Sequence, residues 1–180
     1  MKIRTGFISN SSSSSFVVAF PYKPETVEDL QKMMFGKQKF HYISIYGEKG
    51  VTDYPTHSIV EQVFRDINKK ATNEEVIESI EHGHFDAYIH PEICPGRYDN
   101  WDQITKLIYE KDKEEMERLW EEEAAINHAR ASAIASAFID HNKNKFIVVL
   151  EYGDEGGEFE AILEHTDIFQ RIQHIRTSYH

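Results

Sequence analysis

The chain reads as an α+β protein: a mixed β-sheet with helices packed on it and one long helical segment over about residues 100–142. Three observations predict this. β-type stretches stand first, at 16–20, in the middle, at 39–46 and 85–90, and last, at 146–150 and 174–179. Stretches with apolar residues at helical spacing lie between them. Residues 100–142 contain neither glycine nor proline. The 180 residues fit a single domain, 1–180, large enough to bury a core without disulfides.

The first twenty residues read as two short strands around a serine loop. Residues 3–8 are β-compatible, and Ser9, Asn10 and the run Ser11 to Ser15 follow. Phe16-Val17-Val18-Ala19-Phe20 is continuously apolar, which marks a central strand. Pro21 and Pro24 punctuate it. Residues 26–35 carry Val27, Leu30, Met33 and Met34 at helical spacing, and Gly36 stops them. Residues 39–46 alternate as a strand closed by Gly47 and Gly50. Residues 57–69 place Ile59, Val60, Val63, Phe64 and Ile67 on one helical face. A further helix begins at Asn73 as its N-cap, has Glu74 and Glu75 in its first turn, and ends near Gly83. Residues 85–90 alternate, and Pro91 and Pro95-Gly96 make a loop.

An unbroken helix over 100–142 would run about 63 Å. A compact chain of this size is about 40 Å across. The segment must therefore bend, break or project. Ile104, Leu107 and Ile108 form one apolar turn, and Met116, Leu119 and Trp120 another. The charged run Glu110-Lys111-Asp112-Lys113-Glu114-Glu115 between them is the place for a break or a solvated span. Half of residues 124–137 are alanine, which lets helices approach closely. The end of the chain is β again. Residues 146–150 are a fully apolar strand, Gly153-Asp154-Glu155-Gly156-Gly157 is a hairpin turn, and 158–163 alternate back. Residues 168–172 make one helical turn, and 174–179 a final strand.

Charge and cysteine use narrow the function. With 20 basic and 31 acidic residues the net charge is −11, against the clustered Lys and Arg that phosphate neutralisation requires. Direct nucleic-acid binding is not expected. The single cysteine, Cys94, fits a reducing compartment. No apolar run approaches the roughly 20 residues of a membrane span, and the N-terminal apolar stretch is broken by Ser9 and Asn10. The expectation is a cytoplasmic protein without membrane association.

The N-terminal string Arg4-Thr5-Gly6-Phe7-Ile8-Ser9-Asn10, five serines, then Phe16-Val17 is its most distinctive motif. It resembles the opening of a group of uncharacterised proteins of tailed phages and bacteria that share Gly-Phe-x-Ser-Asn-Ser-Ser-Ser-Ser-Ser-Phe. The resemblance covers the first tenth of the chain. It implies a phage or prophage context, with the host cytoplasm as location, and assigns no catalytic residue.

Small residues between two strands can turn backbone N–H groups into an anion-binding nest. Ser11, Ser12, Ser13 and Ser14 are accordingly ligand-binding candidates, although no Gly-Lys pair accompanies them as in a P-loop. The alternative is a polar turn whose hydroxyls meet water.

A second cluster is C-terminal: Glu164, His165, Asp167, Arg171, His174, Arg176, Ser178 and His180. His165, Asp167 and His174 are catalytic candidates for acid–base work, with Arg176 holding an anion. His165-x-Asp167 also has a metal-ligand spacing, but His174 follows too closely for a facial triad. On strand spacing His174, Arg176 and Ser178 share one face. An anion pocket would join Ser11 to Ser14 with Arg176 and with His174 or His180.

A third cluster is His82, His84, Asp86, His90 and Cys94, whose spacing matches no standard zinc signature. It reads as the wet face of a half-buried strand. No metal and no cofactor are expected.

Two functions follow. The first is a small accessory or interaction protein, phage-encoded, with a protein partner or self-association through the long helix. The alternative is an enzyme or sensor for a nucleotide or other phosphorylated ligand, built from the serine loop and the C-terminal His/Arg cluster.

Overall fold

Seven consecutive residues, the last two serines of the serine run and the five of the first apolar run, are buried in strand β1 (Ser13–Phe20). A strand buried on both faces needs neighbours at both edges and a layer on each side. β1 has both in the computed structural model, which describes residues 13–44, 51–82, 84–85, 113–153, 163 and 166–179.

After β1 come α1 (Val27–Met34), β2 (Phe40–Ser44), β3 (Val51–Pro55), α2 (Thr56–Asp66), α3 (Asn73–His82) and β4 (His84–Phe85). The long helix α4 (Lys113–His141), β5 (Phe146–Gly153) and β6 (Gln173–Tyr179) complete the order. One sheet has the order β4-β6-β1-β5, and β2 and β3 form a separate two-stranded ribbon.

The class is α+β, as the alternation of elements predicts. The sheet corrects one detail. It is antiparallel throughout its described pairings, β1–β5, β1–β6 and β4–β6, and so is the ribbon, where a mixed sheet is the sequence expectation. β5 and β6 run the same way, but β1 lies between them. The connection from β5 to β6 steps across one strand, so the two parallel strands never become neighbours.

Local chemistry explains the element ends. Thr26 caps α1, its hydroxyl accepting from the Asp29 amide at 3.1 Å. Gly36 ends that helix at φ +63°, a conformation that a side chain disfavours. The cap of α3 is Thr72, where the sequence suggests Asn73. The Thr72 hydroxyl accepts from Glu75 N–H and the Glu75 carboxylate accepts from Thr72 N–H, a reciprocal capping box. α2 closes at Asp66, three residues short of the periodic pattern. β3 falls where the sequence predicts no element. Its pairing with β2 sets Phe40 opposite Pro55 and Tyr42 opposite Asp53.

Of the expected 100–142 segment, 113–141 is one continuous helix of about 43 Å. Residues 100–112 lie outside the described residues. So do the expected strand 3–8, most of 85–90, and the hairpin return 158–162. Leu163, where the sequence predicts the end of that returning strand, is instead helical and fully buried.

Alternation along β1 divides the interior in two. Phe16, Val18 and Phe20 join Leu30 and Met34 of α1, Ile59 and Val63 of α2, and Phe169. Val17 and Ala19 join Val76 and Ile80 of α3, and Ala131 and Ala135 of α4. The sheet thus lies between α1 and α2 on one side and α3 and α4 on the other.

Candidate functional site

Strand register brings part of the C-terminal cluster to the serine strand. Ser14 lies opposite Ser178, Phe16 opposite Arg176, and Val18 opposite His174. Directly paired residues share a face. Arg176 therefore joins the aromatic side of the sheet, its guanidinium carbon 5.5 Å from the centre of the Phe16 ring. Its Nη2 reaches Ser14 Oγ at 3.4 Å, a long contact. Ser14 is buried, with 1% of its surface exposed.

His174 is held by two acceptors. Its Nδ1 donates to the Ile172 carbonyl at 2.9 Å, and its Nε2 stands 3.2 Å from Asp167 Oδ1. The second contact is an ion pair rather than a well-aligned hydrogen bond. Burial opposes the imidazolium, but the Asp167 carboxylate and the Ile172 carbonyl outweigh it and raise the His174 pKa above its ordinary value. Burial likewise opposes the Asp167 carboxylate. His174, the Phe169 amide and the charge of Arg176 outweigh it and hold Asp167 below the usual range. Phe169, in the turn that carries Asp167, packs on Phe16 with ring centres 5.3 Å apart. The pair thus fastens the 166–172 turn to β6.

Geometry limits what this cluster can do. His174 stands four positions along the ladder from Ser14, roughly 13 Å. Ser14 and His174 therefore form no nucleophile–base pair, which needs hydrogen-bond reach. Ser11, Ser12, His165 and His180 lie outside the described residues. Ser13 is half-buried and opens onto a different cavity. Of the third cluster, His82 ends α3 and His84 pairs along β4 with Ser178. Asp86, His90 and Cys94 lie outside the described residues. Among the described residues no group of three or more His, Cys, Asp or Glu is placed to hold a metal ion.

The other face carries a buried polar knot. Ser15 Oγ and Ser79 Oγ are 2.6 Å apart, and the Thr177 hydroxyl donates to the Ser79 carbonyl at 3.1 Å. This fastens α3 to β1 and β6. Ser15, the last of the serine run, is thereby a structural residue.

A cavity of about 810 Å³ opens beside this knot, between the α2–α3 connection and β5. Its described lining residues include Asp66, Glu75, Glu78 and Glu151, with Lys69 as the only cation among those described and Ser13 at one end. Lys69 Nζ is spent on Glu75. The hydrogen bonds from Lys69 and from the Thr72 amide hold the Glu75 carboxyl below its usual range. Sequence reasoning misses this cleft because its acids come from α2, α3 and β5. The one local signal, Glu75 and Glu78 three apart on α3, is indistinguishable from an ordinary solvated helix face.

Among the described residues no helix is long and apolar enough to cross a membrane. No family model matches the chain, and no curated protein or solved structure matches it either.

Proposed function

We propose that the chain is a non-enzymatic interaction protein that receives a basic segment of a protein partner in the acid-walled cleft. One observation carries the reading: a cavity of about 810 Å³ whose described lining residues include four carboxylates and one lysine, that lysine paired with Glu75. A chain of net charge −11 steers such a cationic segment toward itself and repels free phosphates. The internal pairing of His174 with Asp167 supports the same reading, since it occupies two of the three catalytic candidates with each other. The phage context rests on the N-terminal Gly-Phe-x-Ser-Asn-Ser-Ser-Ser-Ser-Ser-Phe string alone, and a cytoplasmic location on composition.

Titration with a short Lys/Arg-rich peptide tests the proposal. The peptide should bind, weaken as salt rises, and lose affinity at least tenfold in Glu78→Lys/Glu151→Lys. A peptide that fails to bind, or binds the variant equally, would overturn the reading.

A second reading, an enzyme or sensor for a phosphorylated ligand, draws on the meeting of Ser14 and Arg176 at 3.4 Å. Inorganic phosphate or ATP stabilising the wild type but not Arg176→Ala in thermal unfolding would favour it over the first.

A further inference from the structure

β5 is the last strand in the order β4-β6-β1-β5, so one of its edges meets β1 and the other faces outward. Among the described residues it pairs with β1 alone, in an unbroken register from Phe146 opposite Phe20 to Gly153 opposite Ser13. One hydrogen bond marks the outward edge: the Ala71 amide donates to the Ile147 carbonyl at 2.8 Å. In an antiparallel ladder each residue turns its N–H and C=O to the same side, and successive residues alternate. Val149, Glu151 and Gly153, in phase with Ile147, therefore turn theirs outward as well. Phe146, Val148, Leu150 and Tyr152 turn theirs to β1.

The acid-walled cleft runs along this edge. Val148, Val149, Glu151, Tyr152 and Gly153 all line it. Side chains of consecutive strand residues point to opposite faces, so these residues meet one cavity where it follows the strand's edge. The chain between α2 and α3 passes from the aromatic face to the alanine face, rounding the sheet at Ile147 to form the far wall. Ala71 thus makes the first rung of an added pairing. Among the described residues no amide or carbonyl continues it at Val149, Glu151 or Gly153. Such an edge takes up an extended segment, main-chain bonds supplying affinity and the walls supplying selectivity.

Charge selects the occupant. Glu151 is exposed and shares the face of Ser15, its partner on β1. That face is covered by α3, whose Glu75 and Glu78 also line the cleft. Directly opposed residues share a face. An antiparallel added strand therefore sets the side chains opposite Val149, Glu151 and Gly153 among these carboxylates. A second copy adding its own β5 would set Glu151 and the same acids against each other, which disfavours self-pairing. Resting on the basic-segment reading above, we infer that the partner segment binds as an extended strand, antiparallel to β5, with Lys or Arg at every second position.

An alternating Lys-Thr peptide of about seven residues spans the edge from Val149 to Gly153, and calorimetry with the full chain tests the inference. N-methylation at two of its lysines removes N–H groups that face β5 and should weaken binding about tenfold or more. N-methylation at two threonines, whose N–H groups face away, should leave affinity unchanged. Hydrogen exchange at the Val149, Glu151 and Gly153 amides should slow about tenfold or more on binding. Equal losses from both modifications, or no added protection at those amides, would overturn strand addition while leaving the cleft as a site for basic segments. A peptide that does not bind would overturn both. Protection of the same amides that rises with protein concentration, without peptide, would overturn the choice of occupant in favour of a second copy.

Discussion

The even-numbered residues of β1 face aromatic rings and charge, and the odd-numbered residues face small side chains and hydroxyls. On the first side Phe16 and Phe20 pack on Phe169, Phe16 on Tyr152, with Arg176 over the Phe16 ring and the His174–Asp167 pair beside them. On the second, Val17 and Ala19 meet Ala131 and Ala135, and Ser15 is tied to Ser79. Interiors close to crystal-like density, so the size of the facing side chains sets how near a layer can come. Two short helices and a turn leave room that rings fill. On the other side α3 lies on the sheet and the long helix packs chiefly on α3, its alanines closing a core in which Val17 and Ala19 suffice. One strand therefore carries two cores with different weaknesses: the first is sensitive to cavities and loss of charge, the second to added bulk.

The largest effect should come from emptying the aromatic side. Phe16→Ala removes a fully buried ring and should cost about 3–5 kcal/mol in chemical denaturation. The near-UV signal of the packed aromatics should fall with it.

Charge on that side should matter next, and with a defined pH dependence. His174, raised, contributes its stabilisation fully below its ordinary value of 6.5 and loses it as pH climbs through the higher folded value. Asp167, lowered, contributes above its ordinary value of 3.8 and loses it as pH falls through the lower folded value. The pair is thus at full strength between those limits. Asp167→Asn should cost about 2 kcal/mol near pH 5 and much less near pH 9. Equal losses at both pH values would show that the ion pair is not what holds the 166–172 turn.

On the opposite side the sign of the size effect reverses. Ala135→Leu adds bulk where exposure is 0% and should cost about 1.5 kcal/mol through overpacking. Hydrogen exchange should speed in α3 and α4 while the Phe16 side keeps its protection. Ser15→Ala should have the smallest effect, about 1 kcal/mol, since it removes one buried hydroxyl contact to Ser79. Double-mutant analysis with Ser79→Ala should show most of that loss shared between the two positions.

Much of this frame is legible in the chain. The continuous run 16–20 announces a strand buried on both faces, because no half-exposed strand is apolar at every position. Thr26, Gly36 and the spacing of Val27, Leu30, Met33 and Met34 mark α1 from end to end. His174, Arg176 and Ser178 sharing a face follows from the two-residue period of a strand. β3 is not legible, because Val51-Thr52-Asp53-Tyr54-Pro55 becomes a strand only through its ladder to β2. Nor is the cap of α3, because Thr72 and Asn73 both suit the position and only the Glu75 carboxylate reaching back decides between them.

By itself, then, the sequence determined which segments could be strands or helices, which residues each had to bury, and the strongly acidic charge that any partner meets. Those are local properties of side-chain type and period. Only the tertiary structure decided that the sheet is antiparallel, that Arg176 lies over Phe16, that His174 is paired with Asp167 rather than available, and that acids from α2, α3 and β5 wall one cleft. These depend on strand order and register, through which residues far apart in the chain share one face at a distance of a few ångströms.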